Sequence, residues 1–273
     1  MAWARLQSVS GTNAGSGNAA ATFTTANLTA GSKVIAVVAV SCSSGSFIVT
    51  SVKDGALNTW TQLATKISAD FGTHLGLYAL DTPAGDAGTK PTITATIGTN
   101  FGAKILLQEV TGLVAGNTSA MLDGTAATAT GTTSPATTGA YSSAAASEYL
   151  VACYGDPGLG ISLTTPAGYT ADANNVTGDN LAECAVFYKN SGNGAESASV
   201  TMSGAGTWDT ILVAFQLVAG GIPAGLASGT GTAQPVTMTS NIMTSGPRYA
   251  TATSDLGGVY GAWATPQYAQ GGP

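Results

Sequence analysis

Apolar and polar residues alternate with a period of two along much of this chain. Ile93, Ala95 and Ile97 are interleaved with Thr94 and Thr96, and Val200 and Met202 flank Thr201. Near the end of the regular pattern, Ile211, Val213, Phe215 and Leu217 alternate with Thr210, Leu212, Ala214 and Gln216. A period of two places successive side chains on opposite faces of an extended strand, so these segments predict half-buried strands with threonine turned to water. Residues 34–40 are apolar throughout and predict a central strand buried on both faces. That run falls far short of the roughly 20 residues a membrane-spanning helix needs. Helical periodicity with capping residues does not develop, and alanine-rich places such as Ala144-Ala145-Ala146 are too short to supply it. Turn clusters separate the strands: Asp54-Gly55, Pro83-Ala84-Gly85-Asp86, Asp156-Pro157-Gly158 and Ser191-Gly192-Asn193-Gly194. Their spacing is that of a sandwich or barrel.

The pattern occurs twice. Gly31-Ser32-Lys33-Val34 answers Ala146-Ser147-Glu148-Tyr149, which sets Val34 opposite Tyr149. In the same order, Asn58-Thr59-Trp60-Thr61 answers Ala167-Gly168-Tyr169-Thr170, and Leu77-Tyr78 answers Phe187-Tyr188. Residues 93–97 answer 198–202, and Lys104-Ile105-Leu106 answers Thr210-Ile211-Leu212. The offset drifts from about 115 to about 106, as changes in loop length between equivalent strands produce. The expected fold is all-β: two tandem immunoglobulin-like or jelly-roll β-sandwich domains, residues 1–113 and 114–220, each long enough to close its own core. A single larger sandwich, to which each half contributes one sheet, is the rival arrangement.

Beyond residue 220 the hydrophobic density falls, and Gly, Thr, Pro and Ala dominate to residue 273. Residues 221–273 read either as a disordered tail or as an extended C-terminal arm that orders on a neighbouring subunit, with Tyr249, Tyr260, Trp263 and Tyr268 filling pockets there. The arm is the preferred reading, and those four aromatics are its candidate assembly residues.

Composition narrows the function. Only 8% of residues are charged, against about a quarter in an ordinary domain, and the formal net charge is −6. Eight scattered basic residues form no stripe to neutralise phosphates, so neither nucleic acid nor an anionic membrane surface is an expected partner. Cys42, Cys153 and Cys184 are odd in number and widely spaced, which fits small core residues better than a disulfide framework or a zinc site. The N-terminus lacks the pattern of a secretory signal, so cytosolic synthesis is expected.

The chain has little catalytic vocabulary. His74 is the sole histidine, and a Ser-His-Asp apparatus or an imidazole base would have to use it. It opens a predicted strand, no Gly-x-Ser-x-Gly elbow occurs, and the plain expectation is a strand-edge residue. Asp54, Asp70, Asp81, Asp86, Asp156, Asp172 and Asp179 fall in predicted loops, where most are expected to bond nearby backbone; nothing selects a glycosidase pair among them. Residues 172–180 hold enough oxygen donors for calcium but lack EF-hand spacing. The Gly-x-Gly matches precede no helix and so cradle no phosphate. No cofactor and no metal is expected, and an enzyme is the least favoured class. Trp60 and Tyr169 are expected in the core or at its rim, whereas Trp208 could stack on a pyranose.

One resemblance sharpens the reading. Residues 30–40, the segment Val52-Lys53-Asp54-Gly55-Ala56-Leu57-Asn58-Thr59-Trp60-Thr61, the strand Leu75-Gly76-Leu77-Tyr78 and residues 91–96 together resemble a group of tailed-bacteriophage and prophage virion structural proteins. The resemblance covers most of the first repeat and extends weakly to the second through Pro166-Ala167-Gly168-Tyr169-Thr170, which lacks the Asp and Trp of the turn. It implies a non-enzymatic component of the virion surface, a minor tail or fibre protein or a capsid decoration protein. Such a protein would partner other virion proteins and itself as a symmetric oligomer. The alternative function is a carbohydrate-binding or host-adhesion module with a host glycan as partner.

Overall fold

In a computed structural model, the structure describes residues 2–218 except 14, 16, 44, 45, 47, 57, 59, 69, 71, 83–85, 100, 117, 144, 146, 179 and 193. The chain is all-β. The first repeat contributes β1 (Ala4–Asn13), β2 (Ala19–Thr22), β3 (Lys33–Ser41), β4 (Val49–Lys53), β5 (Thr61–Ile67), β6 (Thr73–Asp81), β7 (Thr92–Ile97) and β8 (Gly102–Thr111). The second contributes β9 (Ala127–Gly131), β10 (Ala136–Thr137), β11 (Tyr141–Ser143), β12 (Tyr149–Asp156) and β13 (Leu163–Thr164). It continues through β14 (Thr170–Ala171), β15 (Glu183–Asn190), β16 (Gly194–Glu196), β17 (Ser199–Met202) and β18 (Trp208–Phe215). A 3-10 turn, Ser119–Met121, lies between the repeats, capped by the Thr118 hydroxyl accepting from the Ala120 amide. Among the described residues no helix is long and apolar enough to cross a membrane.

In the first repeat a large antiparallel sheet runs β1-β8-β3-β6-β5 and a small one runs β2-β7-β4. The second repeats that order as β9-β18-β12-β15-β14 and β10-β17-β13, with β11-β16 as an extra ribbon. From β1 to β5 each connection crosses between the two sheets, β5 folds back onto β6, and β7 and β8 cross again. This is jelly-roll winding with the fifth strand moved onto the larger sheet.

Three cores follow. One lies between the two sheets of the first repeat, around Phe23, Val34, Trp60, Tyr78 and Ile105. Its counterpart in the second holds Leu150, Tyr154, Phe187, Trp208 and Leu212. The third is the seam where the two large sheets pack face to face, through Ile35, Val37, Leu75, Leu77 and Leu106 from one side and Tyr149, Val151, Val186, Ile211 and Phe215 from the other. The central strands therefore have two buried faces, which is why residues 34–40 carry no polar position. In the small sheets one face stays in water, and alternation survives: Thr92 and Thr96 are exposed while Ile93, Ala95 and Ile97 are buried.

The two-sided burial also corrects the alignment of the repeats. Val34, Tyr78 and Ile105 face their own repeat's core, whereas Tyr149, Tyr188 and Ile211 face the seam. Ala36 sits between Tyr78 and Leu107, and Ala152 sits between Phe187 and Leu212. The true equivalents are therefore Val34 with Leu150, Tyr78 with Phe187 and Leu107 with Leu212, one residue from the match read off the sequence. A one-residue slip exchanges the two faces of a strand, and in a strand apolar on both faces the sequence carries no mark of it. Residues 93–97 and 198–202 match in register because their alternation is intact.

Candidate functional site

The ionisable side chains gather in two kinds of place, along one flank of the seam and at the ends of strands. On the flank, Asp172, the residue after β14, is completely shielded and accepts from Ser8 Oγ at 2.7 Å, from Gln108 Nε2 at 2.7 Å and from the Asn174 amide at 2.9 Å. Arg5 Nη1 stands 3.5 Å from it, with the guanidinium 5.1 Å from the centre of the Tyr188 ring. Gln108 Oε1 accepts from the Tyr149 hydroxyl, and Asn174 Nδ2 donates to the Ser8 carbonyl and hydroxyl. Every residue of this network belongs to β1, β8, β12, β15 or the turn after β14, so it ties the two repeats together. Asp172 is thereby filled by protein donors, and close after it Asn175 Oδ1 accepts from the Val186 amide, which anchors the start of the oxygen-rich segment.

Three pairs of acids form at strand ends. Asp54 and Asp86 meet across the Asn58 side chain, and Asp54 also accepts from the Asn58 amide at 3.0 Å. Burial, followed by contact with Asp54, raises the Asp86 carboxyl above its ordinary value. Asp123 and Glu148 share the Ser143 hydroxyl, and burial followed by Asp123 pushes Glu148 up to about 7. Asp156 and Glu183 face each other as register partners on β12 and β15, both fully buried. Burial and then Asp156 push Glu183 up to about 8, and burial raises Asp156 too. A further acid, Asp209 on β18, is buried toward the seam and pushed up to about 7 chiefly by that burial.

These pairs are anchors for loops. The Asx-turn pattern expected of the aspartates holds: Asp70 accepts from the Gly72 amide, Asp156 from Gly158 and Asp172 from Asn174. Carboxyl groups in mutual contact leave no space between them for a sugar ring, unlike glycosidase pairs, which stand roughly 5 to 9.5 Å apart. Among the described residues no group of three or more His, Cys, Asp and Glu is arranged to hold a metal ion.

The other sequence candidates are dispersed. His74 is fully buried in β6 between Val40 and Ile67, so it lies in the interior of the large sheet and not at a strand edge. Burying the face that β6 turns away from the seam is what takes a histidine inside. None of the three cysteines is in a disulfide and all are buried, Cys42 in the first core and Cys153 and Cys184 at the seam, as expected of small core residues. Trp60, Tyr169 and Trp208 are all buried; Trp208 Nε1 donates to the Thr133 carbonyl at 2.8 Å and presents no ring to solvent for a pyranose. Asp179 and the arm aromatics Tyr249, Tyr260, Trp263 and Tyr268 lie outside the described residues.

The turn that carries the phage resemblance has a structural use. Asp54 closes it by accepting from both the backbone and the side chain of Asn58. The second repeat, which lacks the acid, closes the equivalent turn with a Tyr169 amide bond to the Pro166 carbonyl and a Gly168 at φ +79. Sequence reasoning missed Glu148, Glu183 and Asp209. The signal was present in Glu183-Cys184-Ala185-Val186-Phe187 and Trp208-Asp209-Thr210-Ile211-Leu212, where an acid enters an apolar strand and its burial demands compensation.

A groove of about 520 Å³ lies between β5 and the segment leading into β9, lined by Leu63, Ala64, Ala120, Leu122, Thr125 and Thr128 among others. Its lining is small, apolar or hydroxylated, with no ionisable group. Comparison of the chain with family models, with curated proteins and with solved structures gives no match in any of the three.

Proposed function

We propose that the chain is a non-enzymatic structural component of a bacteriophage virion surface, of the minor tail, fibre or capsid decoration type. The observation that carries this reading is the pair of outer faces. Each small sheet turns a hydroxyl-rich, nearly uncharged surface outward: Thr50, Thr92 and Thr96 on one, Thr137, Ser199 and Thr201 on the other. Cross-strand hydroxyl bonds run across both, between Thr22 and Thr92 and between Thr137 and Ser199, each at 2.7 Å. Surfaces with few charges and short side chains lose little entropy and little hydration when they are covered, which suits close packing of repeated subunits. The acids meanwhile hold loops inside the body, which supports a stiff, protease-resistant part over a catalytic one.

The test is light scattering on the full chain beside a chain ending at Gly220. Assembly of the full chain supports the reading: a truncation that still assembles assigns the contact to the outer faces of the small sheets, and one that is folded but monomeric moves it to residues 221–273. If both are monomeric at high concentration and the full chain binds a host glycan instead, adhesion replaces assembly.

A further inference from the structure

The Asp156 and Glu183 pair stands apart from the other acids because both members are fully buried and both hold backbone loops. Asp156 Oδ1 accepts from the amides of Gly158 and Leu159 at 2.7 and 3.2 Å. Glu183 Oε1 accepts from Gly178 at 2.8 Å and Ile161 at 3.2 Å. The two loops also touch directly: Gly158, at φ +88, lies so close to the other loop that a Cβ there would stand 2.2 Å from the Leu181 nitrogen. Leu159 and Ile161 on the first loop close the end of the second repeat's core.

Among the described residues, the other groups placed at the pair are neutral. From β12, the Tyr154 hydroxyl donates to Asp156 Oδ2 at 2.8 Å, and from β17 Met202 Sδ lies 3.1 Å from the same hydroxyl. Across from β12 on β18, Asp209 pairs with Gly155 and is turned to the seam, on the opposite face of the sheet. Two carboxylates in one dry site, surrounded by neutral donors, cannot both carry charge without strong repulsion, so they hold a proton between them and titrate as a unit.

We propose that this pair is a proton-held latch: one shared proton keeps the backbone held at Gly158, Leu159, Ile161 and Gly178 closed over the end of the second core, and its loss in alkaline solution releases these contacts together. The sign follows from burial. An acid raised on folding contributes stability that is full below its unfolded value and is lost as pH rises through its folded value, which for Glu183 is about 8. Opening uncovers Leu159 and Ile161, so the latch turns an alkaline shift into an exposed apolar edge at one defined end of the sheet.

The experiment is amide hydrogen exchange on the full chain at about pH 6 and about pH 9.5, corrected for the intrinsic base-catalysed rate, for the native protein and for Glu183→Gln. The expected result is a loss of protection of about tenfold or more at Gly158, Leu159, Ile161 and Gly178 in the native protein at the higher pH, beyond any loss shared with the rest of the sheets. Glu183→Gln, whose carboxamide donates to Asp156 without a proton to lose, keeps those amides protected at both. Protection that persists in the native protein at the higher pH overturns the proposal, as does equal loss in both proteins. Should Glu183→Gln fail to fold, carboxyl-carbon NMR of the native chain decides: one coupled titration with an alkaline midpoint sustains the latch, and two carboxylates already ionised at neutral pH refute it.

Discussion

Truncating Asp172 to alanine tests whether the polar flank holds the two repeats together. The side chain is completely shielded and accepts three hydrogen bonds of 2.7 to 2.9 Å from Ser8, Gln108 and Asn174. Ser8 keeps its contacts with Arg5 and Asn174, and the Arg5 side chain, 22% exposed, rehydrates, so those two donors account for about 1 kcal/mol between them. Gln108 is 1% exposed and has no alternative acceptor for its Nε2, and the Asn174 amide loses the acceptor that shapes its turn. At about 1 to 3 kcal/mol for each buried donor left unmade, Asp172→Ala should cost about 3 to 5 kcal/mol. For a cooperative unit of this size that lowers Tm by roughly 6 to 20 °C, and in urea the midpoint falls at unchanged slope. Asp172→Asn, which keeps an acceptor oxygen, should lose less. A double-mutant cycle with Gln108→Ala should return about 1 to 2 kcal/mol of coupling. A loss below about 1 kcal/mol for Asp172→Ala, or additive effects in the cycle, would mean that the apolar seam alone joins the repeats.

Other outcomes follow from single contacts. A Cβ at Gly131 would stand 2.4 Å from Trp208 Cζ2, so Gly131→Ala should displace the indole from Thr133, cost about 1 to 3 kcal/mol and change the near-UV circular dichroism; an unchanged Tm and spectrum would contradict this. Glu148 is raised from 4.5 to about 7, so the stability it contributes is present in acid and declines as pH rises through about 7; Glu148→Gln should flatten part of the fall in Tm across that range, and an identical slope in both proteins would remove the cause assigned here. Burial raises the thiols of Cys153 and Cys184, the latter to about 12. All three cysteines should resist a thiol-specific disulfide reagent in the native chain and react fully in denaturant, and rapid native reaction would show that the seam opens.

How much of this was legible in the sequence depended on whether a strand kept one face in water. Residues 92–97 and 199–202 alternate because their threonines are solvated, and both strand and register could be read from them. In β3, β12 and β18 all positions are buried, so the strands were evident from apolar runs while the facing of each residue was not. The acid pairs were hidden for a different reason. Asp54 and Asp86 lie in separate turns, and Asp156 and Glu183 meet only because β12 pairs with β15. No local pattern connects such residues; a sequence shows that an acid occupies a costly position but not which distant group compensates it. His74 looked like an edge residue because the polar residues before it suggested a loop, whereas β5 covers that side of β6.

The seam shows what duplication did to the chain. β3 packs on β12, β6 on β18 and β8 on β15, the exchange of equivalents that a two-fold axis produces between identical subunits. Identical faces would oppose like residues near that axis, and the copies have diverged where this would fail. Ala39 and Leu75 of the first repeat correspond to Gly155 and Cys184 of the second. A Cβ at Gly155 would meet Leu75 Cδ1 at 3.1 Å and Ala39 Cβ at 3.2 Å, so the smaller residues of one copy make the space that the larger residues of the other fill. Side-chain chemistry differs at the same level: Lys104 corresponds to Asp209, so two equivalent buried positions hold a base and an acid where a symmetric dimer would hold the same residue twice. A contact with the geometry of a homodimer has thus become one in which each face fits the other copy better than its own, which favours folding within one chain over pairing between chains at this surface. The proposed assembly of several chains then uses other surfaces, and among the described residues the hydroxyl-lined outer faces of the small sheets lie outside the seam.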